Sequence, residues 1–362
     1  MALLMMEGFE TFGTTVGAGG ATDVQNGMQR KYSDLKGVSS TAHNLADTEL
    51  DAGRSAGFSL KSTVSSARTF SFSLGTGNTP TDNEWVVGFA VKFSSFPTSG
   101  NPIVTIGRNT GNAKITVTST GTLRLEGLFS NLIEETASPV LSLNTWHFIE
   151  WKTRVADAPN GDYEIRVDGQ IVLSATGVDT DGFDDGVSEI VQFTFQRSGQ
   201  QFDDMYVCDQ DGPDFNDFLG RVVIEAVFPN AEGDAADWTP QSGTDNSAMV
   251  DDNPADDDAT YVETNTQDAQ DLYQYTDLST ITAEPILAVQ VNTDVKITLS
   301  PGDLDVQFPV KSGTTTDDGS VVNVASDTYQ TIGRILTQDP DTAAAWTQSG
   351  IDAAQFGIKA GT

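Results

Sequence analysis

A chain of 362 residues with one cysteine, two histidines and only 19 lysines and arginines is short of three kinds of chemistry. Cys208 alone forms no intrachain disulfide and supplies no cysteine-rich zinc site. His43 and His147 are too few for a histidine-rich metal centre. The 19 bases face 52 acids, a formal charge of −33. Nucleic acids and anionic membrane surfaces need clustered cations, so neither is an expected partner. No apolar stretch approaches 18 residues, so no transmembrane helix is expected. The opening Met1–Glu7 run lacks a basic region and is short, so no signal peptide is expected either. Fixed-period repeats and heptads are missing, which excludes a coiled-coil shaft, and helical periodicity is nearly absent.

Apolar residues make up 38% of the chain and glycines number 34, enough apolar material for real cores. Segments with period-two alternation recur every 10 to 15 residues. They include Arg68–Leu74, Glu84–Phe93, Ile103–Gly107, Lys114–Ser119, Thr122–Leu128, Glu189–Gln196 and Phe202–Cys208, parted by Gly, Pro, Asn, Asp and Ser clusters. That rhythm predicts an antiparallel sandwich of ten or more strands. Phe228–Asp258 is polar, acidic and broken by Pro and Gly, and reads as a linker. Seven further strand candidates follow between Tyr261 and Leu336, with a short helix inside Ala343–Ala354 and a last strand at Phe356. The expected organisation is a sandwich over 1–227, an acidic loop over 228–258 and a smaller sandwich over 259–362.

The most informative stretch is Leu143-Asn-Thr-Trp-His-Phe-Ile-Glu-Trp-Lys152, followed by Tyr163-Glu-Ile-Arg-Val-Asp-Gly-Gln-Ile-Val172. Both alternate, and Asp168-Gly169 is a strong hairpin signal. Alternation sends Trp146 and Phe148 one way and His147, Ile149 and Trp151 the other. We expect the Trp146 ring to fill a core and the hairpin to be scaffold. The pair resembles the central hairpin of the laminin-G/concanavalin-A-like jelly roll. That resemblance implies an all-β fold which presents surfaces to sugars or proteins and only sometimes catalyses.

The chain as a whole is similar to tailed-bacteriophage virion structural proteins. The residues carrying this are Glu7-Gly-Phe-Glu10, the hairpin, Phe202-Asp-Asp-Met-Tyr-Val, Asn216-Asp-Phe-Leu-Gly-Arg-Val, Trp238-Thr-Pro, Asp256-Asp-Asp-Ala-Thr-Tyr-Val262, Asp339-Pro-Asp-Thr-Ala-Ala-Ala-Trp-Thr347 and Phe356-Gly-Ile. The resemblance implies a non-enzymatic particle component assembled in the host cytoplasm, most simply a capsid decoration or spike. It would dock on major capsid or tail proteins as a homo-oligomer. Two alternatives stay open: a tail fibre or adaptor binding a host-surface glycan or receptor, and a glycan hydrolase.

Hydrolysis of a glycosidic bond needs two carboxylates roughly 5–9 Å apart. The Glu-x-Asp-x-(x)-Glu strand pattern of jelly-roll hydrolases is not complete anywhere. Glu150 and Glu164 stand alone on their strands, and Glu134-Glu135 falls in an expected loop. No catalytic residue is therefore expected, and His147 reads as scaffold. No cofactor is expected apart from calcium, a hard cation that takes several carboxylate and carbonyl oxygens. The candidate ligands are Asp203, Asp204 and Glu7, since in concanavalin-A-like domains a closing-strand acid and an N-terminal residue share the ion. Asp179–Asp185 and Asp251–Asp258 are further acidic runs.

Overall fold

The computed structural model describes residues 3–17, 21–32, 47–74, 80–98, 102–107, 113–127, 131–182, 188–280, 285–298 and 304–361. The fold is all-β and antiparallel, in two compact units. The first holds Met1–Glu10, Thr15–Met28 and Tyr32–Ile224; the second holds Thr11–Thr14, Gln29–Lys31 and Glu225–Thr362.

Two sheets make the first unit. The eight-stranded sheet runs Gln170–Val178, Gly161–Val167, His147–Arg154, Glu84–Lys92, Gln201–Cys208, Phe58–Ser62, Thr48–Ala52, and Leu3–Glu7 adds to the Gln201–Cys208 strand. The six-stranded sheet runs Arg68–Ser73, Ile190–Phe195, Pro102–Gly107, Ala113–Val117, Leu123–Glu126, Leu132–Glu135. Alternation decides what lies between them, because one side chain in two points inward. Trp85, Phe89, Ile149, Trp151 and Phe202 do so from the first sheet, Phe70, Phe193 and Phe195 from the second, and all are buried. Their rings interlock: Phe195 lies 4.9 Å from Phe202, Phe193 5.6 Å from Phe89 and 5.4 Å from Phe70. Such pairs each add about 0.5–1.5 kcal/mol beyond the area they bury.

The hairpin forms as expected. Asp168 (φ 51°) and Gly169 (φ 80°) take the left-handed backbone that a tight two-residue turn requires. Trp146 corrects the expectation made for it. Trp85 and Trp151 are the buried core tryptophans, whereas Trp146 is half-buried on the outer face, with the Lys92 ammonium 4.7 Å from its ring centre.

On that same outer face the strand interior is crowded. Tyr206 lies flat over Gly88, where an added Cβ would meet the ring at 2.0 Å. Its hydroxyl donates to Glu150 Oε1 at 2.7 Å, both groups buried. The segment after Cys208 crosses above them. The amide of Leu219 donates to the Tyr206 hydroxyl and that of Gly220 to Glu150 Oε1, Lys152 reaches Asp217, Arg166 lies over the Phe218 ring, and Ile224 donates to Asp204. Polar groups buried on an outer face are thus matched by a strap of the chain itself.

Three local expectations differ from the structure. A 12-residue helix, Ala21–Tyr32, buries Val24, Met28 and Tyr32 at a spacing of four, a helical stripe. Pro229–Ala236, expected within a linker, is a strand paired with Gln270–Tyr275, so the second unit begins at Glu225. Glu134-Glu135, expected in a loop, lies on Leu132–Glu135, the edge strand of the six-stranded sheet.

The second unit has a seven-stranded sheet and two two-stranded ones. Its core gathers Phe308, Val310, Leu336, Trp346 and Phe356, with Trp238 packed on its margin. A short helix, Gln348–Ala353, is capped by the Thr347 hydroxyl, which accepts from the Gly350 amide.

Candidate active site

The outer face of the six-stranded sheet is where chemistry collects. Its inward residues are apolar, so the alternate positions must point away from the core. Cross-strand register aligns them into one row: Ser71 opposite Gln192, Gln192 opposite Thr105, Thr105 opposite Lys114, Lys114 opposite Glu126. A second row beside it holds Thr194, Thr116, Arg124 and Glu135. Outward side chains of an ordinary sheet are solvated. Here Ser71, Thr105, Thr116, Glu126 and Thr194 are buried.

Most members are hydrogen-bonded to one another. Gln192 donates to the Ser71 hydroxyl at 3.3 Å, and the Thr116 hydroxyl donates to Glu126 Oε1 at 3.2 Å. Glu135 accepts from the Thr122 hydroxyl and from Arg124 Nε, both at 2.8 Å. These two donors hold the Glu135 carboxyl below the usual range, so it is ionised at neutral pH. Glu126 differs. Its Oε2 is buried and makes no hydrogen bond, and the Lys114 ammonium stands 3.9 Å away, beyond bonding distance. A buried acceptor without a donor is uncommon and calls for an explanation.

Glu126 and Glu135 lie on adjacent strands: Glu135 pairs with Arg124, two residues before Glu126, and a register shift between Leu125 and Glu126 sets Glu126 opposite Leu132. Glycosidic cleavage by two carboxylates needs both on one face with their carboxyl groups roughly 5–9 Å apart. Such a pair was sought along single strands; Glu126 and Glu135 are brought onto one face by pairing between two.

The calcium expectation fares differently. Glu7, Asp203 and Asp204 do lie in one buried region, yet each carboxylate meets protein donors. Glu7 accepts from the Phe9 amide at 2.8 Å and the Tyr32 hydroxyl at 2.7 Å. Asp203 accepts from the amides of Arg54 (2.6 Å) and Asp204 (2.8 Å). Asp204 pairs with Arg54 Nε at 2.7 Å and accepts from the Ile224 amide at 2.7 Å. Burial pushes the Asp203 carboxyl up to about 8 and that of nearby Glu10 up to about 10, each reinforced by a neighbouring acid. The acidic run at Asp251–Asp258 is likewise engaged: Arg30 pairs with Asp257 at 2.9 Å, Lys296 pairs with Asp258, and Thr260 bonds Asp252 and Asp256. Asp184 and Asp185 of the third run, and His43, lie outside the described residues. Among the described residues no group of three or more His, Cys, Asp or Glu side chains is arranged to hold a metal ion.

His147 sits in a chain of contacts with the distances of a nucleophile triad. Its Nδ1 is 2.7 Å from Asp168 Oδ2 and its Nε2 is 3.0 Å from the Ser142 hydroxyl. The Ser142 amide also donates to Nε2 at 3.0 Å, so the lone pair a general base would use is taken. The imidazole joins the loop before its strand to the turn of the hairpin. Cys208 is buried, and burial pushes its thiol pKa up, the setting of an inert thiol.

No protein-family model and no curated protein sequence matches the chain. Solved structures do. They include an endo-β-1,4-glucuronan lyase from the fungus Trichoderma reesei (15% identity, TM-score 0.35, covering 44% of this chain and 86% of that one). An alginate lyase variant in complex with an alginate tetrasaccharide aligns at 12% identity and TM-score 0.39, over 56% of this chain and 95% of that one. A sialidase from Trypanosoma rangeli aligns at 12% identity and TM-score 0.32, over 46% of this chain and 28% of that one. At such identity the likeness concerns the fold. The expectation of a non-enzymatic virion decoration protein is corrected accordingly. The chains matched here are two glycan lyases and a sialidase, not virion proteins. Among the described residues no helix is long and apolar enough to cross a membrane.

Proposed function

We propose that the first unit cleaves a glycan on the outer face of its six-stranded sheet, with Glu126 and Glu135 as the working carboxylates. The observation that carries this reading is the buried, unmatched Oε2 of Glu126 on this face, where Thr194 Oγ1 is a second buried polar atom without a partner. An acceptor left without a donor inside a polar row is a place for a substrate hydroxyl.

The reaction class is hydrolysis. Glu135, held ionised by Arg124 and Thr122, takes a proton from water as the water oxygen bonds to the anomeric carbon. The bond from that carbon to the bridging oxygen breaks, and Glu126 as its carboxylic acid delivers the proton the leaving oxygen needs. Gln192 and Lys114 flank Glu126 along the row and offer donors to sugar hydroxyls. The half-buried Gln192, Lys114, Arg124 and Glu135 mark where this face meets solvent.

The test is a panel of soluble polysaccharides, neutral and uronate-containing, incubated with the full chain. Release of reducing ends without absorbance of unsaturated sugars supports hydrolysis. Unsaturated products would replace hydrolysis with elimination at the same face, and absence of both would remove the assignment.

A further inference from the structure

The opposite face of the same unit carries a second row that the carboxylate pair does not use. At one end of the eight-stranded sheet, register places Glu49 opposite Lys61, Lys61 opposite Gln201 and Gln201 opposite Lys92. Trp146 follows, one residue before the pairing of His147 with Val91, and Asp51 lies two residues beyond Glu49 on the same side. All six side chains point outward, because Leu50, Leu60, Phe202 and Val91 between them are buried in the core. We propose that this row is a second glycan-binding surface, one that takes a neutral oligosaccharide.

Three observations support it. The first is composition. An indole, an amide, two ammonium groups and two carboxylates in one line offer a flat apolar ring for the C–H face of a pyranose and planar groups for pairs of hydroxyls. Five neighbouring strands at their usual spacing span roughly 19 Å, the length of a short oligosaccharide. The second is access. The strap that crosses this sheet is fixed at Lys152, Glu150, Tyr206 and Asp204, further along the strands. Trp146, Lys92, Lys61 and Asp51 stay half-buried. The Lys92 ammonium over the Trp146 ring is a partly solvated cation–π contact, the weaker kind, and yields readily to a stacked sugar.

The third is charge. Lys61 lies 3.0 Å from Glu49 and 2.9 Å from Asp51, so its charge is already matched. Its own pKa is raised and that of Asp51 lowered by this contact, as in a formed ion pair. With Lys92 the row holds two positive and two negative groups and no net charge. A chain at −33 repels polyanions at long range, and a row without net charge offers no compensating attraction for a uronate. Gln201 is held flat by the Ser59 hydroxyl, which donates to its Oε1 at 3.0 Å, and it donates to Asp51 at 3.3 Å.

This proposal does not rest on the carboxylate face, and the experiment separates the two. The full chain, wild type and with Glu126→Gln, is titrated calorimetrically with cellohexaose, maltohexaose, N-acetylchitohexaose and hexaguluronate. Binding of at least one neutral hexaose in both proteins is expected, with weaker or absent binding of hexaguluronate. Trp146→Ala should weaken that binding about tenfold or more. Trp146→Tyr, which keeps an aromatic face, should restore most of it, and a melt unchanged from wild type verifies that both variants fold. No neutral binding at millimolar sugar, binding unaffected by Trp146→Ala, or preference for hexaguluronate would each overturn the proposal. None of these results bears on whether Glu126→Gln abolishes cleavage.

Discussion

Replacing Gly88 with alanine tests how the strap, the Tyr206–Glu150 pair and the strand beneath depend on one another. Gly88 sits mid-strand in Glu84–Lys92 with a fully buried aromatic ring above it. A Cβ there would lie 2.0 Å from Tyr206 Cε1 and 2.4 Å from Cζ, less than any real contact, and the other obstacles are parts of the same rigid ring. Tyr206 must shift, because the strand is paired on both sides, with His147–Arg154 and with Gln201–Cys208. Overpacking of this kind costs about 1–3 kcal/mol. Moving the ring also lengthens the bond to Glu150, and a buried hydrogen bond to a charged group is worth about 1.5–3 kcal/mol. The two together give about 2.5–6 kcal/mol. For a unit of this size that lowers the melting temperature by about 5–25 °C. Thermal melts and amide exchange of the full chain check this, with faster exchange at Leu219 and Gly220, whose amides bond Tyr206 and Glu150. The double variant Gly88→Ala/Tyr206→Ala should be less destabilised than the sum of its parts. A loss below about 1 kcal/mol with the strap amides still protected would refute the argument.

Other perturbations have defined outcomes. Asp203 and Glu10 have folded pKa values raised to about 8 and about 10, against ordinary values near 4. The folded state therefore binds their protons more tightly. That stability is full below about pH 4 and is lost as pH rises through about 8 and then about 10. Melting temperatures should fall from pH 7 to pH 10, and Glu10→Gln should flatten the upper part; a melt that rises over this range would contradict the assignment. Asp168→Ala removes the acceptor of both the His147 ring and the Phe148 amide, and denaturant titration should show a loss of about 2–3 kcal/mol. Trp346→Ala empties the centre of the second core, where the ring is fully buried, and should cost about 3–5 kcal/mol in the same assay.

What was legible in the sequence and what was not divides along physical lines. Glu84–Phe93 and the Trp146 hairpin were legible because one face of each strand is apolar and Asp168-Gly169 admits few other turns. The Ala21–Tyr32 helix was missed because its stripe is only Val24, Met28 and Tyr32 on an otherwise polar segment. Pro229–Ala236 was missed because its alternate positions are only half-buried and almost wholly small or polar, so no hydrophobic period announces it. Alternation already sends Trp146 and Trp151, five residues apart, to opposite faces, but local pattern does not say which face meets the other sheet, so the buried ring was assigned to Trp146 instead of Trp151. The candidate active site was the least legible part. Lys114, Thr116, Arg124 and Glu126 already alternate within recognised strands. That Glu126 and Glu135 share a face, and that Gln192 joins them from residues far along the chain, depends on strand order and register, which local pattern does not encode.

The central claim is that the six-stranded face cleaves a glycan through Glu126 and Glu135. The most direct measurement is the rate of reducing-end release by the wild-type chain and by Glu126→Gln on whichever polysaccharide the wild type turns over. The amide keeps the shape and the Thr116 contact but neither gives up nor takes a catalytic proton. The account predicts a loss of about 100-fold or more with an unchanged melting temperature. Equal rates in the two proteins, or no turnover by the wild type on any polysaccharide of the panel, would contradict it.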